Sequence, residues 1–150
     1  MLTPHCPASK YASMLYRLSQ LFYDRELESC RIGGGQQFFL IRIYEQPGVC
    51  PHELALLGRF DKGTATRAVK RLVREGYVRM TGDKGDKRVR RLFVTQEAIP
   101  IIKRTYQALD DWNRIITKGM PEAETRQAER LMEKMAENAY IHMKGNRKKD

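Results

Sequence analysis

Asp61-Lys62-Gly63-Thr64-Ala65-Thr66-Arg67-Ala68-Val69-Lys70-Arg71-Leu72-Val73-Arg74-Glu75-Gly76 is the stretch on which the fold turns. Asp61 is a good N-cap, and Gly76 stands where a C′ glycine ends a helix. On a wheel of about 100° per residue, Ala65, Leu72, Val73 and Gly76 fall within about 60° of Val69 and predict a core stripe. Gly63, Thr64, Arg67, Lys70, Arg71 and Arg74 lie on the outer side, with Thr66 on the flank and Lys62 leading the helix. Such a face suits a major groove. Small and hydroxyl side chains let the backbone approach, arginine forks onto guanine O6 and N7, and the helix N-terminus favours phosphate. Glu75 is the one acidic residue between Lys62 and Gly76, whereas an ordinary solvated helix mixes both signs.

Working outward, Cys50-Pro51-His52-Glu53 reads as the start of a shorter helix. Pro51 takes the first helical position and Glu53 the glutamate of a capping box, with Cys50 where Ser or Thr usually stands. Leu54, Leu57 and Phe60 are expected on its inner face, and Gly58-Arg59-Phe60 makes the turn of a helix-turn-helix. Downstream, residues 77–81 and 89–95 are strand-like and flank Gly82-Asp83-Lys84-Gly85-Asp86-Lys87-Arg88, so a β-hairpin with a basic tip is expected. Lys84, Lys87 and Arg88 face DNA in this reading. An arginine at a ribbon tip suits the narrow, electronegative minor groove. Asp86, two residues before Arg88, is placed to brace that guanidinium.

Further out, residues 8–29 predict an amphipathic helix, and 36–45 a buried one. Gly33-Gly34-Gly35 reads as a flexible join between them, since the Lys-Ser/Thr of a phosphate loop is missing. Residues 96–118 predict a long helix with Thr95 as cap and a kink or late start at Pro100. Its apolar side carries Ile99, Ile102, Tyr106, Leu109, Trp112, Ile115 and Ile116. A last helix runs over about 122–143. The expected fold is mostly α with a small β-hairpin, as one domain over 1–150: a DNA-binding lobe at about 47–95, and dimerisation helices at about 8–29 and 96–143.

Charge narrows the partner. The chain has 28 Lys+Arg against 18 Asp+Glu, a formal net charge of +10. Twelve basic and four acidic residues fall between Arg59 and Arg91, so that segment alone holds +8. Such a patch is an electrostatic footprint for a polyanion. The longest apolar run, Phe38 to Ile41, is ended by Arg42, far short of the ~18 residues a membrane span needs. Met1-Leu2-Thr3-Pro4-His5 has no signal-peptide pattern, and three cysteines (Cys6, Cys30, Cys50) make no disulfide framework, so a cytoplasmic protein without membrane attachment is expected. The basic tail, Lys144 to Lys149, reads as a frayed end.

The order of a helix, a buried helix, a helix-turn-helix, a basic wing and two long helices resembles the MarR family of bacterial transcription regulators. The resemblance is carried by Lys62-Gly63-Thr64-Ala65-Thr66-Arg67, by Leu72-Val73-Arg74-Glu75-Gly76-Tyr77-Val78 and by the wing Asp83 to Arg88, and covers residues 8–143. It implies a homodimeric winged-helix protein, usually a repressor released from double-stranded DNA by a small ligand or oxidant. It carries DNA-reading positions onto Gly63, Thr64, Thr66 and Arg67, and a wing Asp-x-Arg onto Asp86 and Arg88. The peroxide-sensing subgroup has a cysteine early in its first long helix; Ser9 falls near that place and Cys6 lies before the helix, so that route is not expected here.

Two-fold pairing is expected through Leu15, Leu18, Tyr106, Trp112, Leu131 and Met135. A small aromatic or anionic effector is expected at the seam between the DNA-reading lobe and the dimer core, bordered by the first two helices, with Met14, Leu18, Phe38 and Ile41 as walls and Arg17 or Arg42 as anchor. No catalytic residues, cofactor or metal are expected. His5, His52 and His142 have no nucleophile motif beside them, and Cys50-Pro51-His52 has no second ligand pair. The alternatives are an adaptor that binds RNA or protein through the same fold, and a redox- or metal-responsive regulator. RNA readers stack bases on aromatics, and residues 62–75 contain none.

Overall fold

The computed structural model describes residues 7–146; His5, Cys6 and the tail residues Arg147, Lys148 and Lys149 lie outside them. Helix α1 (Pro7–Glu26) stops three residues short of the expected end. The chain tightens into a 3-10 turn at Glu28–Cys30, and Arg31 follows in the left-handed region at φ 60°. Leu27 is fully buried at this corner.

Helix α2 (Gly34–Glu45) takes in two of the three consecutive glycines, with Gly33 as its N-cap. The expected flexible join is therefore a helix start. Gly33 N–H donates to Gln36 Oε1 at 3.0 Å, and Gly34 N–H to Asp24 Oδ1 of α1 at 2.8 Å. A Cβ on Gly33 would strike Asp24 and one on Gly34 would strike Gln20, so the missing side chains let α2 begin against α1. The low helix preference of glycine hides this in the sequence. Phe39, Leu40, Ile41 and Ile43 of α2 are buried, as expected of a central helix.

Helix α3 (Pro51–Gly58) and helix α4 (Lys62–Arg74) form the helix-turn-helix. Pro51 opens α3, and Cys50 N–H donates to Glu53 Oε2 at 2.9 Å. The inner face of α3 is Leu54 and Ala55, not Leu54 and Leu57. The buried direction passes between Leu54 and Ala55 and through Gly58, which leaves Leu57 about 110° away and exposed. Phe60 also keeps part of its ring in solvent while packing on Phe38 and Phe39, with centroids at 5.2 and 4.8 Å.

Strands β1 (Val78–Gly82) and β2 (Arg90–Val94) pair antiparallel, from Val78 opposite Val94 to Gly82 opposite Arg90. The segment before α3 lies along β2: Gly48 N–H donates to Leu92 O at 2.8 Å, and Leu92 N–H to Val49 O at 3.0 Å. Helix α5 (Ala98–Ile116) starts late, so Pro100 falls in its first turn, where a proline has no intrahelical bond to lose. Thr95 is not its cap; the Thr95 hydroxyl donates to Gly76 O at 2.6 Å and ties the end of β2 to the end of α4.

The chain divides into two compact units, one ending at Trp112 and one beginning at Asn113. In the first, α2 supplies the centre of a core that includes Leu54, Val69, Leu72, Val78, Leu92 and Ile102. Tyr106 and Trp112, expected at a subunit contact, are used inside this unit. The Tyr106 hydroxyl donates to Glu45 Oε1 at 2.9 Å, and Trp112 packs on Phe22 with centroids 5.3 Å apart. The second unit holds helix α6 (Glu122–Asn146), on which Leu131, Met132, Met135 and Ile141 are exposed; Ile115, at the end of α5, is exposed too.

Candidate nucleic-acid interface

The N-terminus of α4 is built by a short relay of side chains. Asp61 Oδ2 accepts the Thr64 N–H at 2.9 Å, and its other oxygen accepts the Thr64 hydroxyl. Led by that hydroxyl, these bonds hold the Asp61 carboxyl below its ordinary range. The Thr64 oxygen in turn accepts from Arg67 Nη2 at 3.2 Å. Arg67 folds over Gly63, where an added Cβ would lie 3.1 Å from Arg67 Nη1. The Thr66 hydroxyl donates back to Lys62 O at 2.9 Å.

The buried stripe of α4 is Ala65, Ala68, Val69 and Leu72. Its centre lies about 50° from Val69 on the wheel, toward Ala68. That rotation corrects two expectations. Val73 leaves the core and is 38% exposed. Arg71 leaves the outer face: it is half-buried, and its Nη2 donates to Arg31 O at 3.1 Å. Lys62, Arg67, Lys70 and Arg74 remain exposed along the outer side, with Gly63, Thr64 and Thr66 half-buried at its start.

The wing tip carries Lys84, Lys87 and Arg88, all exposed. Asp86 Oδ1 accepts the Arg88 N–H at 3.0 Å and its Nε at 3.3 Å, which is the expected brace. A second and larger brace escaped sequence reasoning. Asp83 Oδ2 accepts the N–H groups of Gly85 at 2.9 Å and Asp86 at 3.0 Å, and Oδ1 accepts Arg91 Nε at 3.1 Å. Arg91 also donates to Gly48 O at 3.2 Å and pairs with Glu53 at 3.7 Å, so the wing is tied to the start of α3. The Asp86 N–H first, then Arg91, holds the Asp83 carboxyl below its ordinary range. At Glu53 the Cys50 N–H does the same.

Together these elements place one row of cations on a helix and a second on a braced ribbon. The MarR family model matches residues 35–89, from α2 to the wing. The crystal structure of a MarR transcriptional regulator from Methanosarcina mazei Go1 fits with a TM-score of 0.80 at 32% identity, over 88% of this chain and 95% of that one. The chain belongs to the MarR family. This MarR protein is also 28% identical over 123 residues to the HTH-type transcriptional regulator BilQ of Clostridium symbiosum (strain WAL-14163), a match that spans 82% of the chain and 85% of the relative. A mutant MarR from E. coli, solved in complex with operator DNA, fits with a TM-score of 0.77 at 25% identity, over 86% of this chain and 93% of that one. These relatives are transcription regulators, which agrees with the expectation that the chain is not an enzyme.

The residues expected to hold an effector are divided between α1 and α2. Ile41 is 2% exposed in the core. Phe38 is occupied by the Phe39 and Phe60 rings. Arg42 lies over Phe38 at 5.4 Å and pairs with Glu45. Met14, Arg17 and Leu18 stand on the exposed face of α1. An open groove of about 650 Å³ lies elsewhere, lined by residues that include Pro47, Val49, Glu53, Leu56 and Leu57. Cys30 is a buried free thiol and Cys50 a half-buried one. Among the described residues no helix is long and apolar enough to cross a membrane.

Proposed function

We propose that this MarR protein binds double-stranded DNA sequence-specifically as a homodimer on a pseudo-palindromic operator. The observation that carries the reading is the exposed set Arg67, Lys70 and Arg74 along α4, together with Arg88, whose side chain is 92% exposed at the wing tip. Arg67 is the base reader, with Gly63 and Thr64 admitting the backbone to the groove. Lys70 and Arg74 meet phosphate, and Arg88 enters the minor groove. Arg71 is left out of the contacts.

Support for pairing comes from α1. Tyr11, Met14, Leu15, Leu18 and Leu21 recur at helical spacing, and all are exposed. A second copy of the chain covers such a face, and a two-fold axis then requires half-sites about ten base pairs apart. The whole chain acts as one regulator, with residues 47–95 as its DNA-reading lobe. Bound across a promoter, the dimer represses. A small anionic effector releases it by favouring a lobe spacing that does not fit DNA; equal affinity for both spacings would shift nothing.

The test is selection from random duplexes with the purified chain, followed by competition with single-stranded DNA and with RNA. Enrichment of a two-fold sequence that only duplex competes away is the expected result. RNA competing equally well would favour the adaptor reading. Light scattering on the same sample must report a dimer.

A further inference from the structure

Arg71 is the most unusual cation of α4. Its side chain turns away from the row formed by Arg67, Lys70 and Arg74 and reaches back to the corner between α1 and α2. There Nη2 donates to Arg31 O at 3.1 Å, while the buried Nε finds no hydrogen-bond partner among the described residues. Burying an unsatisfied donor is costly.

Two more contacts converge on the same corner. The Tyr77 hydroxyl, just beyond α4, donates to Cys30 O at 2.8 Å. Glu75, the C-cap of α4, pairs with Arg31 at 3.8 Å. Adjacent carbonyls of one turn are thus gripped by Arg71 from the C-terminal half of the helix and by Tyr77, three residues past its end. The corner is itself stiff. Cys30 N–H donates to Leu27 O and Arg31 N–H to Glu28 O, each at 2.9 Å, and Gly34 N–H fastens the start of α2 to Asp24 of α1 at 2.8 Å. A continuous set of short, oriented bonds therefore runs from α1 through the corner to α4.

We propose that Arg71, with Tyr77, is a positioning device that fixes α4 relative to α1, and through it sets the half-site separation the regulator accepts. Arg71 touches no DNA. The proposal rests on the reading of the chain as a DNA-binding dimer paired through α1. If α1 holds the two-fold axis and α4 lies in the groove, the clasp is the side-chain link that determines how far each α4 stands from that axis.

The test uses the full chain and three variants: Arg71→Met, which keeps an apolar stem and removes the donors; Arg71→Lys; and Tyr77→Phe, which removes a single hydroxyl and leaves the rest of the ring. Each is checked first without DNA, by hydrogen exchange over residues 28–33. Arg71→Met and Tyr77→Phe should both speed exchange there, with Arg71→Lys between Arg71→Met and the wild type. Unchanged exchange in both would overturn the clasp whatever happens on DNA. Binding is then measured on the selected operator and on operators with one base pair added or removed at the centre. Arg71→Met should bind the selected operator roughly tenfold more weakly, the size expected for loss of a charged hydrogen bond. Its preference among the three spacings should flatten, and the slope of log K against log salt should stay at the wild-type value.

A slope smaller by about one with spacing preference intact would make Arg71 a phosphate contact and overturn the positioning role. Faster exchange with spacing preference unchanged would reduce the clasp to a stabilising contact, and overturn it equally. A wild-type chain that selects no duplex sequence would instead defeat the DNA-binding reading, and the spacing role with it, while the exchange result would still decide whether the clasp exists.

Discussion

Gly63 leaves the space in which the Arg67 guanidinium rests, and Thr64 and Asp61 hold it there, in place for the base contact proposed for it. Arg67→Ala should therefore cost about 1–3 kcal/mol of operator affinity and relax base preference at one position. Arg88→Ala should weaken binding mainly on sites with A·T-rich flanks, because a minor-groove arginine reads groove width. Anisotropy titrations on matched sets of duplexes separate the two; equal losses on every sequence would contradict both roles. At the wing, the Asp83 carboxyl is held below the value of about 3.9 that it takes in an unfolded chain. A lowered folded value adds stability that is fully present above the unfolded value and lost as pH falls through the folded one. The Gly85 and Asp86 amide signals should thus stay fixed from pH 7 to about 5, and move only below about 4. Movement near pH 6 would mean that another group braces the wing. The start of α4 was legible in the sequence because the Asp61 cap acts over three residues, on Thr64. Arg71 was misplaced because the wheel was centred on Val69, and nothing local says that Ala68 is buried beside it. The Asp83–Arg91 pair needed the hairpin register: only when Gly82 stands opposite Arg90 do the two side chains meet.

Among the elements, the α1–α2 corner makes the sharpest forecast, since neighbouring glycines in one short run should respond with opposite sign. Gly33→Ala pushes aside the Asp24 carboxylate that caps α2, and should lose about 1 kcal/mol or more. Gly35 has nothing within 4 Å of where a Cβ would stand and already lies in the helix. Gly35→Ala should therefore gain about 0.5–1 kcal/mol through helix preference alone. Urea titrations of both variants test the pair, and a loss at Gly35 would mean that the corner is not as the structure describes it. Element order, the caps at Asp61 and Cys50, the late start at Pro100 and the ribbon were all readable, because each is written in residues within a turn of one another. What the sequence did not show was close approach. Three glycines in a row look like slack until Asp24 and Gln20 are found against them, and Leu57 looks like core until Gly58 is seen to take the inner place.

At the scale of the molecule, the net charge of +10 and its concentration between Arg59 and Arg91 set a long-range field. If a dimer neutralises about six phosphates, log K should fall against log salt with a slope of roughly −5. A slope near zero, measured from 50 to 200 mM salt, would remove the basic segment from the binding surface. The exposed row Tyr11, Met14, Leu15, Leu18 and Leu21 on α1 carries a further consequence, this time a genetic one. The α1 row shares no residue with the α4 and wing surfaces, so if the chain pairs through α1 as proposed, one with a ruined wing or a changed Arg67 should still fold and still find a mate. Made in equal amounts with intact chains, it would draw half of them into mixed pairs and leave only about a quarter of all pairs with two working arms. Alleles damaged in α4 should therefore behave as dominant in a merodiploid cell, whereas alleles damaged in α1 should be recessive, because their product cannot enter a pair at all.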